Sequence, residues 1–156
     1  MTAARLEHAN VTVEDPKKTA EILCTLFDWK VRWEGPAKNN GYTVHVGEDF
    51  SYIALYAVGA TGRLGDGSYV TVGGLNHIAV VVDDIDATER RILDAGYKTE
   101  NHADYAPGRR FYFHDTDGIE YEVVSYAKAR MRVSGASRFH RLLNCILAAV
   151  TFAKPL

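Results

Sequence analysis

Apolar residues in this chain recur with two different periods, and the switches between them mark its elements. Over 5–13, Ala9, Val11 and Val13 alternate with Leu6, His8, Asn10 and Thr12, a period of two that predicts a strand. Glu14-Asp15-Pro16 closes it, because Asp15 can cap a helix and Pro16 suits the first helical turn. Ala20, Ile22, Leu23, Leu26 and Phe27 then make an apolar stripe at helical spacing, ending near 27. Strands are predicted at 29–33, 42–46 and 51–57, separated by Gly35-Pro36 and by Gly47-Glu48-Asp49. The order is β-α-β-β-β.

The same order returns further on. A strand over 75–82 leads to a helix from about 85 to 95, followed by strands near 97–102, 110–114 and 120–125. Each copy has a histidine near the start of its first strand and an acidic cap before its helix: His8 with Asp15, His77 with Asp84. Setting His77 on His8 gives an offset of 77 − 8 = 69 residues, which also lays His114 on His45. A one-residue adjustment puts Ala54 opposite Glu122. Recurrence at one period marks a duplication. The expected architecture is therefore α+β, two tandem βαβββ modules (5–57 and 74–126) that form a curved mixed sheet around a concave site. Six glycines mark 58–73 and its edge as the connector. After 126 the chain changes character: Lys128, Arg130, Arg132, Arg138 and Arg141 make a basic stretch, and 142–152 is apolar enough for a tail helix, expected from about 137 in a C-terminal extension 127–156.

Composition narrows the partners. With 156 residues, 47% apolar and 24% charged, the chain has the size and make-up of a single globular domain. A formal net charge of −2 gives no reason to expect nucleic acid or an anionic membrane surface. No apolar run reaches the ~20 residues needed to cross a bilayer, and the first residues carry no apolar leader. A cytoplasmic protein is expected, with Cys24 and Cys145 as free thiols.

Strand parity supplies the candidate chemistry. If Tyr121 and Val123 face a helix, Glu120 and Glu122 face the cavity. The same argument sends His8, Asn10, Thr43, His45, Tyr52, Ala54, Tyr56, His77, Ala79, Tyr112 and His114 to that side. Two imidazoles from equivalent strands and one carboxylate form a 2-His-1-carboxylate set: His8, His77 and Glu122 as ligands of a divalent metal ion, Fe2+, Mn2+, Ni2+, Co2+ or Zn2+. Glu120, one pleat from Glu122, is a candidate base or fourth ligand. His45 and His114 are candidates for contact with substrate.

The stretches Leu75-Asn76-His77-Ile78-Ala79-Val80-Val81-Val82-Asp83-Asp84-Ile85 and Tyr112-Phe113-His114-Asp115-Thr116-Asp117-Gly118-Ile119-Glu120-Tyr121-Glu122-Val123 closely resemble the vicinal oxygen chelate superfamily. That group includes glyoxalase I, extradiol dioxygenases, methylmalonyl-CoA epimerase, and the fosfomycin- and bleomycin-resistance proteins. The resemblance covers about 6–126 and implies the glyoxalase-like fold. Its metal positions fall on His8, Ala54, His77 and Glu122; alanine cannot ligate, which departs from glyoxalase I, where glutamate stands there. Comparison with the extradiol enzymes implies catalytic roles for Tyr112, ten residues before Glu122, and for His102, ten before Tyr112. Arg109 and Arg110 could bind an anion. A small-molecule substrate that chelates metal through adjacent oxygens is implied, at a site bounded by His45, Tyr52, Ala54, Tyr56, Arg110 and His114, in a homodimer. The reaction expected is of lyase, isomerase or dioxygenase type. An alternative is a metal-free binding protein of the bleomycin-resistance kind, with tyrosines such as Tyr42, Tyr52, Tyr56, Tyr105 and Tyr112 around a planar ligand.

Overall fold

The computed structural model describes residues 4–59, 62, 67–106 and 108–126. The first module comprises β1 (His8–Thr12), α1 (Pro16–Phe27), β2 (Lys30–Pro36), β3 (Tyr42–Gly47) and β4 (Tyr52–Ala57). The second comprises β5 (Ile78–Val81), α2 (Ile85–Asp94), β6 (Thr99–Tyr105), β7 (Gly108–His114) and β8 (Glu120–Tyr126). Each module closes its own four-stranded mixed sheet, in the orders β1-β4-β3-β2 and β5-β8-β7-β6. The outer pairs β1–β4 and β5–β8 are parallel and the rest antiparallel. This is the tandem βαβββ architecture expected from the repeat. The tail helix falls on residues outside those described.

Both helices start as their sequences dictate. Asp15 accepts hydrogen bonds from the backbone N–H groups of Lys17 and Lys18, with Pro16 in the first turn. Asp84 accepts from Ala87 in the same way, at 2.9 Å. α1 ends where Asp28 turns left-handed, at φ 59°.

One strand runs longer than its sequence suggests. β2 continues through Gly35 and Pro36, which pair with Thr43 and Tyr42. Proline is tolerated there because β2 is an edge strand. At Gly35 the exposed Trp33 ring lies 2.7 Å from where a Cβ would project, so a larger residue there would require that ring to move.

The two sheets share one core. Val13, Leu23 and Leu26 pack with Val44, Val46 and Leu55 from the first module and with Ile92, Phe111, Phe113, Tyr121 and Val123 from the second, all at 2% exposure or less. The ring of Phe27 on α1 reaches across to those of Phe113 and Tyr121, 6.3 Å away in each case. A polar contact joins the modules as well: Asp117, in the turn between β7 and β8, accepts from the Glu14 N–H at 3.2 Å and from the Thr19 hydroxyl at 3.3 Å. Because side chains alternate along a strand, the opposite face of each sheet, turned from this core, carries His8, His45, His77 and His114. Among the described residues no helix is long and apolar enough to cross a membrane.

Candidate functional site

Strand register decides which residues meet on those outward faces. Ala54 pairs with Asn10 on one side and His45 on the other, while Glu122 pairs with Ala79 and Tyr112. The offset between modules therefore shrinks from 79 − 10 = 69 in β1/β5 to 122 − 54 = 68 in β4/β8 and 112 − 45 = 67 in β3/β7. It follows that Tyr112, not His114, is the counterpart of His45, a correction to the single-offset alignment. His114 sits one pleat along, opposite Glu120, and its Nδ1 lies 3.1 Å from Glu100.

Glu122 is the centre of the group on the second sheet. It is 8% exposed, and each of its oxygens faces a different partner. His77 Nε2 lies 3.3 Å from Oε2, and Arg110 donates from Nη1 to Oε1 at 3.0 Å. Tyr112 stands beside the carboxylate and presents its ring edge-on to His77, 5.8 Å between centroids at 85°. Burial, and then the Glu122 charge, push the Tyr112 phenol above its usual pKa, so it stays a proton donor at neutral pH.

The connector contributes a residue that sequence reasoning missed. Tyr69, in the short 3-10 turn Ser68–Val70, donates to Glu120 Oε2 at 2.8 Å and lies 3.4 Å from His77 Nδ1. Its hydrogen bond to Glu120 holds the phenol above its usual pKa. The one clue available beforehand was an aromatic residue inside a glycine-rich segment.

On the first sheet, His8, Tyr52 and His45 form a stack, with ring centroids 4.9 Å apart for His8–Tyr52 and 4.6 Å for His45–Tyr52. Trp33 tilts against His45 at 5.1 Å, and the Arg32 guanidinium lies 4.8 Å over the Tyr52 ring. His8 Nδ1 lies 2.6 Å from Glu7, whose carboxyl that contact holds below the usual range. Desolvation, followed by the nearby His8, pushes the His45 imidazole down. Ala54 is 2% exposed, and the Tyr56 hydroxyl is spent on the Lys38 carbonyl at 2.8 Å.

The structure thus groups His77, Glu122, Tyr112, Arg110 and Glu120 in one place and His8, His45 and Tyr52 in another. Among the described residues no three His, Cys, Asp or Glu side chains lie together so as to hold a metal ion. His102 joins neither group. Its Nε2 contacts Glu89 of α2 at 2.7 Å and its ring stacks on Phe111, on the helix side of the sheet. The cause is a β-bulge between Glu100 and Ala103, with Asn101 at φ 54°, which reverses the facing of the residue after it. Arg109 is also turned away, holding Asp86 through both terminal nitrogens at 2.9 and 2.7 Å. Between the modules a cleft of about 900 Å3 is lined by Asn10, Thr12, Tyr69, Asn76, His114 and Glu120 among others.

The chain is thus a duplicated βαβββ fold with a histidine–carboxylate pair on the sheet face away from its helices. The chain belongs to the Glyoxalase/Bleomycin resistance protein/Dioxygenase superfamily, whose model matches residues 5–123. Among solved structures it is similar to a glyoxylase/bleomycin resistance protein/dioxygenase domain from Frankia sp. EAN1pec, at 22% identity and TM-score 0.68 over 82% of this chain and 96% of that one. It is also similar to the fosfomycin resistance protein FosX of Listeria monocytogenes in complex with Mn(II) and sulfate, at 21% identity and TM-score 0.62 over 81% and 95%. A glyoxalase I variant from Zea mays matches at 18% identity and TM-score 0.63 over 80% of this chain and 45% of that one. At these identities the likeness shows the fold. No curated protein matches the chain.

Proposed function

We propose that the chain is a metal-dependent enzyme of lyase, isomerase or dioxygenase type, acting on a small molecule that chelates metal through adjacent oxygens. The observation that carries this reading is the meeting of His77 Nε2 and Glu122 Oε2 at 3.3 Å on the sheet face away from the core. An imidazole nitrogen and a carboxylate oxygen so close suit a borderline divalent ion such as Mn2+, Fe2+, Ni2+, Co2+ or Zn2+. That pair is two-thirds of the expected donor set. The third donor, His8, stands on the other module's outward face, so the complete site is one in which His8 comes from a second copy of the chain in a homodimer. A bound ion would supply Lewis acidity toward the substrate oxygens.

The protein's own groups divide the remaining work. Tyr112, protonated and beside Glu122, donates a hydrogen bond to an oxyanion forming on the substrate. Glu120 accepts a proton given up by the substrate as that oxyanion forms, its carboxylate held in place by the Tyr69 hydroxyl.

A metal-free binding protein is the second reading, and the Arg110 contact to Glu122 favours it, since a guanidinium already neutralises the carboxylate. Mn2+ titration followed by electron paramagnetic resonance separates the two. The enzyme reading expects a Mn2+ site in the wild-type protein that weakens by more than about tenfold in His8→Ala, His77→Ala and Glu122→Gln. Mixing His8→Ala with Glu122→Gln chains restores a tight site, because one mixed pair rebuilds an intact triad across two chains. Wild-type protein that takes up no Mn2+, or takes it up regardless of these substitutions, overturns the reading.

A further inference from the structure

Two consecutive arginines in β7 have different fates. Arg109 is saturated by its two-pronged pair with Asp86 on an exposed edge. Arg110 points into the candidate site with its side chain only 16% exposed. Nη1 bonds Glu122, yet the Nε of the same guanidinium is buried and has no hydrogen-bond partner among the described residues. A buried donor left unmade is costly, and the general expectation is that such a group has a partner in the working state. The ring of Tyr105 lies over the guanidinium, 4.7 Å from its carbon, and Tyr105 itself is 59% exposed at the end of the β6–β7 hairpin.

We propose that Arg110 recognises an oxyanion group on the substrate, a carboxylate or a phosphonate, and so makes the substrate an anion as well as a chelator. The inference rests on the site proposed above and names its substrate class. Three features support it. A guanidinium offers planar, paired N–H donors that match two oxygens of such a group. Its position one pleat from Tyr112 on β7, facing Glu122, puts a bound anion beside the histidine–carboxylate pair. The Glu122 carboxylate takes one terminal nitrogen and leaves the Nε donor for a second acceptor.

The test uses methylphosphonate and acetate as probes, with acetamide as the neutral control, in isothermal titration of the full chain with and without Mn2+. Wild-type protein and Arg109→Met are expected to bind both anions and ignore acetamide. Arg110→Met, in which the stem against Tyr105 is kept, is expected to bind them at least tenfold more weakly while retaining its Mn2+ site. Arg110→Lys, a second variant in case the first folds poorly, keeps the charge but not the paired donors and is expected to fall between. Equal anion binding by wild type and both Arg110 variants overturns the inference and leaves the metal reading standing. Loss of the Mn2+ site from wild type, with anion binding still dependent on Arg110, sinks the metal reading alone.

Discussion

Arg110 and His77 grip opposite oxygens of Glu122, at 3.0 and 3.3 Å, in a setting where the carboxylate is nearly closed to water. Removing one partner of a buried pair leaves the other charge uncompensated, which costs more than the pair itself is worth. Glu122→Ala should therefore lower stability by about 3 kcal/mol in urea denaturation. The double variant Glu122→Ala/Arg110→Met should recover much of that loss. Additive losses in the cycle would mean that the two side chains do not depend on each other.

Asp117 and Thr19 lie 98 positions apart in sequence and join the modules through a single carboxylate, which also accepts from the Glu14 backbone. Asp117→Ala removes both hydrogen bonds and should destabilise the chain by about 1–2 kcal/mol. Thr19→Ala should show a coupling to it in a double-mutant cycle. Thermal denaturation reads both. A coupling of zero would leave the Glu14 backbone as the polar partner through which Asp117 acts.

The half of the site that could be read from sequence is the half that follows from strand parity. Tyr121 and Val123 are fully buried against the shared core, so Glu122 had to face away from it, as alternation requires. The duplicated caps Asp15 and Asp84 were equally legible, because a cap works through its nearest neighbours. What escaped was anything that depends on an inserted or deleted residue. Shorter spacing between later strands moved His114 off His45 and put Tyr112 in its place. The bulge at Asn101 rotated His102 to the helix side, which spacing alone does not reveal. Tyr69 was invisible for a different reason: it reaches Glu120 from a connector whose path has no periodic pattern.

Burial holds the Asp115 carboxyl above the ordinary aspartate value, with the Asp117 charge adding to it, against hydrogen bonds from the backbone of Asp117 and Ile119 and from the Tyr121 hydroxyl. A folded state that holds its proton more tightly than the unfolded chain loses stability as pH rises from the unfolded value of ~3.9 through the folded one. The titratable groups around it are Asp117, Tyr97 and Tyr121. Asp115→Asn keeps an oxygen for the two backbone donors and removes the charge. Relative to wild type its melting temperature should improve as pH rises from about 4, and the gain should level off once the raised folded value is passed. A difference that stays flat would show that the folded carboxyl titrates where an exposed one does, and one that shrinks that it titrates lower; either sinks the prediction.

Ala54 occupies the place in the first module that Glu122 holds in the second, between Asn10 and His45 as Glu122 lies between Ala79 and Tyr112. It is 2% exposed, so a glutamate there adds both bulk and a charge to a closed position. Ala54→Glu should cost about 2–3 kcal/mol without metal from overpacking alone. If His8 and its stacked neighbours line the same metal site as His77 and Glu122, the new carboxylate becomes a ligand, and Mn2+ should raise the melting temperature of the variant by more than it raises that of wild type. Ala54→Gln separates charge from bulk: it pays the same steric cost but should gain less from the ion. If all three proteins respond equally to Mn2+, position 54 lies outside the reach of any metal bound by the chain, and His8 beside it loses its claim as a ligand.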